Sequence, residues 1–169
     1  MNIALLTAAG VGSRMHQDIP KQFLHINNKP VILYTMEAFQ NSPLIDEIMV
    51  VTLPSWKDMI WAYAKQFGIT KLKYLVDGGD TGQQSILCGL KELEKNHNLS
   101  DVVMVHDGNR PMISQEIIAD SLAVYQQYGS AVAAIPCIEA IFESDDGISS
   151  DVSIPSCLLY TSPSPRDVE

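Results

Sequence analysis

Ile3-Ala4-Leu5-Leu6-Thr7-Ala8-Ala9-Gly10-Val11-Gly12-Ser13-Arg14-Met15, with Pro20-Lys21-Gln22-Phe23-Leu24 shortly after it, is the stretch from which the fold is read outward. The apolar run at its start reads as a buried first strand. Ala8, Ala9, Gly10 and Gly12 carry little or no side chain, so the backbone beyond that strand can fold back and aim N–H groups at an anion. Arg14 and Lys21 add two positive charges to the same loop. A strand, a glycine-rich turn and two cations together make a phosphate site. A dinucleotide fingerprint fails, because it needs glycine where Met15 stands, and a P-loop fails for want of Gly-Lys-Ser/Thr. A purely structural glycine turn has no use for either cation.

Composition narrows the ligand. The chain has 169 residues, is 46% hydrophobic and carries a formal net charge of −9. That length and apolar content suit one globular domain with a single core. A nucleic-acid partner would need a broad basic face, which the acidity excludes. Arg14 and Arg110 both lie beside glycine-containing, loop-like sequence after a strand, which fits a compact phosphorylated metabolite held in a local positive pocket. No apolar stretch reaches the ~18 residues of a membrane span, and no charged leader precedes the first strand, so no membrane partner and a cytoplasmic location are expected. Cys88, Cys137 and Cys157 show no paired spacing and read as reduced thiols. The four histidines lack metal-ligand spacing, so no zinc site is expected.

Strand and helix patterns alternate along the chain. Pro30 opens a helix through Phe39, and Glu47–Thr52 is a short β-branched strand. Trp56, Met59, Ile60, Tyr63, Ala64 and Phe67 recur at helical spacing before Gly68, an aromatic stripe expected in the core. Residues 71–76 alternate as a half-exposed strand does. Asp77-Gly78-Gly79-Asp80-Thr81-Gly82 forms a second glycine-rich loop before a helix bearing Ser85, Ile86, Leu87, Leu90 and Leu93. Residues 101–106 read as the clearest buried strand, ending in Asp107-Gly108-Asn109-Arg110-Pro111. Ser114 caps a further helix that stops near Gly129, and Ala131–Ile135 reads as a last strand. Such an order predicts an α/β fold with a mostly parallel sheet and helices on both faces. Right-handed crossovers place the carboxyl ends of the strands on one edge, where ligands of such sheets bind. The loops 8–21, 78–85 and 107–110 are therefore expected to converge.

A nucleoside triphosphate suits that edge, with the first loop, Arg14 and Lys21 on its phosphates. Asp107 would repel phosphates unless Mg²⁺ lies between them, since that ion takes one or two carboxylates plus phosphate oxygens. The competing role for Asp107 is capping of local N–H groups. Gly79, Asp80 and Ser85 would offer hydrogen bonds to a base or ribose; helix capping is the alternative for Asp80, and an ordinary early-helix serine for Ser85. With no nucleophile arrangement in sight, direct in-line displacement at phosphorus is expected.

The segments 8–15 and 20–24, Gly78-Gly79-Asp80 with Ser85, and His106-Asp107-x-x-Arg110-Pro111 resemble those of cytidylyltransferases of polyol phosphates, in order, over residues 1 to about 136. The resemblance implies a three-layer α/β/α Rossmann-like nucleotidyltransferase domain acting on CTP and either 2-C-methyl-D-erythritol 4-phosphate or D-ribitol 5-phosphate, with pyrophosphate released. It implies that Arg14 and Lys21 stabilise the transition state, and that Ala8, Gly79, Asp80 and Ser85 frame the cytosine. Ala9, Gly10 and Gly12 would line the nucleotide, Gly108 would sit near the ribose, Arg110 on the acceptor side, and Asp107 would hold Mg²⁺. A homodimer joined by a projecting arm is also implied.

Three departures stand beside it. Gly108-Asn109 replaces two small apolar residues common in the methylerythritol enzymes, and Ala140 replaces a threonine of the acceptor region. The stretch from Pro20 to Thr35 and the helix near Trp56 are as similar to the ribitol-phosphate enzymes, so the acceptor stays open. The likeness ends around Pro155, and Ser156–Glu169 resembles translated adapter sequence. The expected organisation is thus a nucleotide-binding domain at 1–136, the start of a dimerisation and acceptor arm at 137–155, and a non-native, unstructured tail at 156–169. A truncated chain of that kind would be inactive alone. A sugar-1-phosphate nucleotidyltransferase is the rival enzyme, disfavoured by the short Arg14 to Lys21 interval. A glycosyltransferase would want Asp-x-Asp after a strand, and a non-catalytic nucleotide-binding module would not need Lys21.

Overall fold

The computed structural model describes residues 1–10 and 19–136, together with short strands at 141–143, 152–154 and 160–161. The chain divides into two compact units, Met1–Ile118 and Ala119–Glu169. In chain order the elements are β1 (Asn2–Ala8), β2 (His25–Ile26), β3 (Lys29–Pro30), α1 (Val31–Gln40), β4 (Glu47–Thr52), α2 (Lys57–Gln66) and β5 (Leu72–Asp77). They continue with α3 (Gly82–Asn96), β6 (Val102–Asp107), α4 (Gln115–Tyr128), β7 (Ile135–Pro136), β8 (Ile141–Glu143), β9 (Val152–Ile154) and β10 (Tyr160–Thr161).

The first unit is built on a four-stranded sheet of order β5-β4-β1-β6, every neighbouring pair parallel. Ile3 to Leu6 on β1 and Ile48 to Val51 on β4 are fully buried, as central parallel strands covered on both faces require. Alternation divides them between the faces. Ile3, Leu5, Met49 and Val51 join Leu93 of α3 in one cluster, with Tyr74, Val76 and Val103 packed against it. Ala4, Leu6, Ile48 and Val50 point the other way, and α1 buries Ile32, Leu33, Met36 and Phe39. Phe39 meets His106, the register partner of Leu6, edge to face at 5.4 Å. Helices on both faces make the α/β architecture expected from the alternating pattern.

From β1 the chain steps outward to β4 and β5, then returns to place β6 on the opposite side of β1. Such a reversal leaves a crevice at the carboxyl ends of β1 and β6. α3 lies close over β1 and β4 because Gly89 has no side chain: a Cβ there would sit 2.7 Å from Leu5 Cδ1 and 2.9 Å from Val51 Cγ2.

Several expectations need correction. Residues 102–106 form an edge strand in this sheet, so Val105 is 44% exposed. α3 faces the sheet through Ser85, Gly89 and Leu93, an i, i+4, i+8 stripe, which leaves Leu87 and Leu90 exposed. In the aromatic stripe Ile60 and Ala64 are buried, whereas Met59 and Phe67 are exposed; Trp56 precedes α2 in a 3-10 turn and stacks on Phe23. Only Ile135 of the expected last strand is in a ladder, paired antiparallel through β7 with β10. Ala131 to Ala134 have no such pairing, and alanine contributes little to strand formation without one. Unexpected from the pattern was the β2–β3 hairpin, turned by Asn27 and Asn28 at φ 51° and 62°, a conformation asparagine tolerates.

In the second unit, β8 and β9 form another antiparallel pair. Within 156–169, expected to lack regular structure, Tyr160–Thr161 is the β10 strand. No described helix is long and apolar enough to cross a membrane.

Two outcomes follow from the packing of the first unit. Gly89→Val should overpack the α3–sheet contact and lower the unfolding free energy by about 1–3 kcal/mol in urea titrations. Burial pushes the His106 imidazole below its usual value; the Arg110 carbonyl, accepting from Nε2 at 3.0 Å, and the Asp107 carboxylate oppose that shift, while the Arg110 cation adds to it. Because the unfolded chain takes this proton first, stability is complete above pH 6.5, the ordinary value, and is lost as pH falls through it toward the lowered folded value. Melting temperature should therefore fall between pH 7 and 5, and His106→Gln should flatten that fall.

Candidate functional site

β1 runs directly into the first loop. Ala8 is buried, Ala9 half-buried and Gly10 exposed. Gly12 and Arg14 lie outside the described residues, and so does any geometry between Arg14 and Lys21. Lys21 opens a 3-10 turn, Lys21–Phe23, and is exposed. The turn is held on both sides. Phe23 is buried and stacks on Trp56 at 4.0 Å with the rings 7° apart, while buried Gln22 donates to the carbonyls of Ala8 and Gly10.

The second loop comes up against the first. Gly78 donates its N–H to the Thr52 carbonyl at 2.9 Å, and a Cβ on Gly78 would fall 2.2 Å from the Ala9 Cβ. Only glycine opposite alanine permits that approach. Ser85 is 4% exposed, and its Oγ accepts from the Gly79 N–H at 3.1 Å and donates to the Gly79 carbonyl at 3.3 Å. Its hydroxyl thus shapes the loop. Asp80 is exposed and does not cap α3. Thr81 does, in a capping box with Gln84: the Gln84 N–H reaches Thr81 Oγ1 and the Thr81 N–H reaches Gln84 Oε1, both at 3.1 Å. That leaves the Asp80 carboxylate free of the capping role weighed for it.

The third loop closes over the end of β1. Gly108 donates to the Thr7 carbonyl at 2.8 Å, and a Cβ on it would lie 3.3 Å from the Ala8 Cβ. Its own carbonyl accepts from the buried Thr35 hydroxyl at 2.9 Å. The Asp107 side chain is half exposed; Oδ1 accepts from Thr7 Oγ1 at 3.2 Å, and Oδ2 pairs with Arg110 Nε at 2.8 Å. Among the described residues the carboxylate caps no backbone N–H group, the role set against metal binding; a hydroxyl and a guanidinium take its oxygens.

Ala8, Ala9, Gly78, Gly79, Ser85, Asp107, Gly108 and Arg110 therefore meet around the carboxyl end of β1, and Gln22 ties the Lys21 turn to them. Four residues of this site had no role in the sequence analysis: Thr7, Gln22, Thr35 and Thr81. The Thr81–Gln84 pair is a readable capping signal. Gln22 stood inside the Pro-Lys-Gln-Phe segment, but a polar residue beside an exposed lysine gives no sign that it is buried. The arrangement offers backbone groups and a lysine for an anion, a half-exposed carboxylate for a cation, and an arginine beside it.

Comparison with known proteins agrees with that chemistry. The family described as IspD, 2-C-methyl-D-erythritol 4-phosphate cytidylyltransferase, matches residues 2–156. A ribitol-5-phosphate cytidylyltransferase of Lacticaseibacillus paracasei is 41% identical over 142 residues, covering 84% of this chain and 61% of the relative. A 2-C-methyl-D-erythritol 4-phosphate cytidylyltransferase of Clostridium acetobutylicum is 35% identical over 177 residues, covering 96% of this chain and 74% of the relative. The crystal structure of 4-diphosphocytidyl-2C-methyl-D-erythritol synthase from Anaerococcus prevotii superposes with a TM-score of 0.77 at 25% identity, over 95% of this chain and 66% of that one. The chain spans 61% of the length of the first of these relatives and 65% of a second ribitol-5-phosphate enzyme, from Vibrio parahaemolyticus. With the matched region taking in the whole parallel sheet and the three loops at its carboxyl edge, the chain belongs to the IspD cytidylyltransferase family.

Proposed function

We propose that this protein transfers CMP from CTP onto a phosphorylated polyol and releases pyrophosphate. The observation that carries this reading is the meeting of three strand-end loops on two alanine methyl groups, Gly78 against Ala9 and Gly108 against Ala8. That geometry supports a nucleotide lying across the ends of β1 and β6, its phosphates toward loop 8–21.

In the proposed reaction an oxygen of the acceptor's phosphate attacks the α-phosphorus of CTP. The bond from that phosphorus to the oxygen bridging to the β-phosphate breaks, and pyrophosphate leaves with the electron pair. Lys21 and Arg14 oppose the negative charge that builds on the equatorial oxygens and the leaving group. Ala9, Gly10 and Gly12 line the nucleotide; Ala8, Gly79, Asp80 and Ser85 frame the cytosine, Ser85 by holding Gly79 in place. Gly108 lies at the ribose, and Arg110 faces the acceptor phosphate.

Mg²⁺ is the expected metal, and Asp107 is the residue to hold it. Among the described residues no group of three His, Cys, Asp or Glu side chains forms a closed cage. A single half-exposed carboxylate supplemented by substrate oxygens is how this ion is commonly bound beside phosphates. Bound there, it neutralises part of the triphosphate charge.

Two acceptors are proposed, ribitol 5-phosphate and 2-C-methyl-D-erythritol 4-phosphate. Identity of 41% to a ribitol relative against 35% to a methylerythritol relative orders them for assay. Residues 137–155 are proposed to begin the arm through which two copies dimerise, and the cytoplasm is the proposed location.

Pyrophosphate release from CTP with each acceptor, measured on the chain extended by a complete family carboxyl-terminal region, tests the assignment, and no release with either acceptor overturns it. Lys21→Ala should lower turnover ~10²–10³-fold, the usual loss of one preorganised donor, with an unchanged melting temperature. Asp107→Asn should abolish the strengthening of CTP binding by Mg²⁺ in calorimetric titrations.

A further inference from the structure

Gln22 sits on the same 3-10 turn as Lys21 yet faces inward. It is 2% exposed, and a primary amide nitrogen has two hydrogens to place. Both find acceptors on the first loop: Nε2 donates to the Ala8 carbonyl at 2.6 Å and to the Gly10 carbonyl at 3.0 Å. These two carbonyls flank Ala9, the residue on which the Gly78 loop rests. A trans peptide sends its N–H opposite to its carbonyl, so drawing the Ala8 carbonyl inward turns the Ala9 N–H outward.

The other attachments of the turn are rigid. Phe23 donates its N–H to the Pro20 carbonyl at 2.8 Å and stacks on Trp56, and Val31 at the start of α1 donates to the Leu24 carbonyl at 3.0 Å. A side chain fixed at this base and bonded to both carbonyls sets the distance between the Lys21 backbone and loop 8–10. Thr52 Oγ1 also approaches the Ala8 carbonyl, but at 3.5 Å, so Gln22 is the closer donor.

We propose that Gln22 is a positioning residue which, by bonding both carbonyls around Ala9, orders the phosphate-facing loop and sets Lys21 against it. It touches no substrate and acts through the loop and the lysine. This inference rests on the nucleotide reading of the site given above.

Gln22→Met keeps length and shape while removing both donors. Gln22→Glu keeps shape but at neutral pH turns an acceptor toward two carbonyls. Ile60→Val, a buried change in α2 away from the loop, serves as the stability-matched control. In the ligand-free protein, Gln22→Met should lower the backbone NMR order parameters of Ala9 and Gly10 while leaving those of β4 unchanged. Titration with CTP and Mg²⁺ should show affinity weakened at least tenfold in both Gln22 variants and within twofold of wild type in Ile60→Val. Unchanged order parameters at Ala9 and Gly10, or CTP affinity in Gln22→Met equal to wild type, would overturn the proposal. If the wild-type protein binds no CTP, the nucleotide reading fails, and the order-parameter comparison alone still decides whether Gln22 orders the loop.

Discussion

Everything at the carboxyl edge of the sheet depends on how little space surrounds the end of β1. Ala8 and Ala9 present only methyl groups, and glycine backbones from two other strand ends close on them. A single added carbon at Gly78 would lie at 2.2 Å from its neighbour, a separation no packed atoms tolerate. The three loops can therefore form one surface only if all these positions stay small.

That constraint explains the division of labour among the polar groups. With no room for side chains at the junction, hydrogen bonds reach it from outside: Gln22 from below Lys21, Ser85 from the first turn of α3, Thr35 from α1 and Thr7 from β1 itself. Each satisfies a backbone or carboxylate group that the turns would otherwise leave partnerless, which is costly away from water. Lys21, Asp80 and Asp107 stay exposed around that junction, and Arg110 is half-buried beside Asp107.

Membership of the IspD family and the geometry point the same way. Residue identity supplied the resemblance; the approach of loops far apart in sequence came from the fold. Asp107 and Arg110 show how the two differ. Their presence was legible as a motif, whereas their mutual pairing at 2.8 Å, and the hydroxyl of Thr7 on the same carboxylate, was not.

Local pattern alone determined the order of the four sheet strands and the helices between them, the parallel sheet and the segments of the candidate site, because periodicity and glycine-rich turns act over a few residues. β4 was read to the residue from its β-branched run, and Ser114 was read as a cap. Burial was decided only by tertiary structure. Residues 102–106 look like a core strand, yet become an edge because the chain returns past β1 to place β6 last, and Leu87 and Leu90 of α3 are exposed because Gly89 draws a different face onto the sheet. Gln22 is hidden for the same reason: whether a side chain meets water or a carbonyl depends on what lies across from it, and that neighbour is distant along the chain.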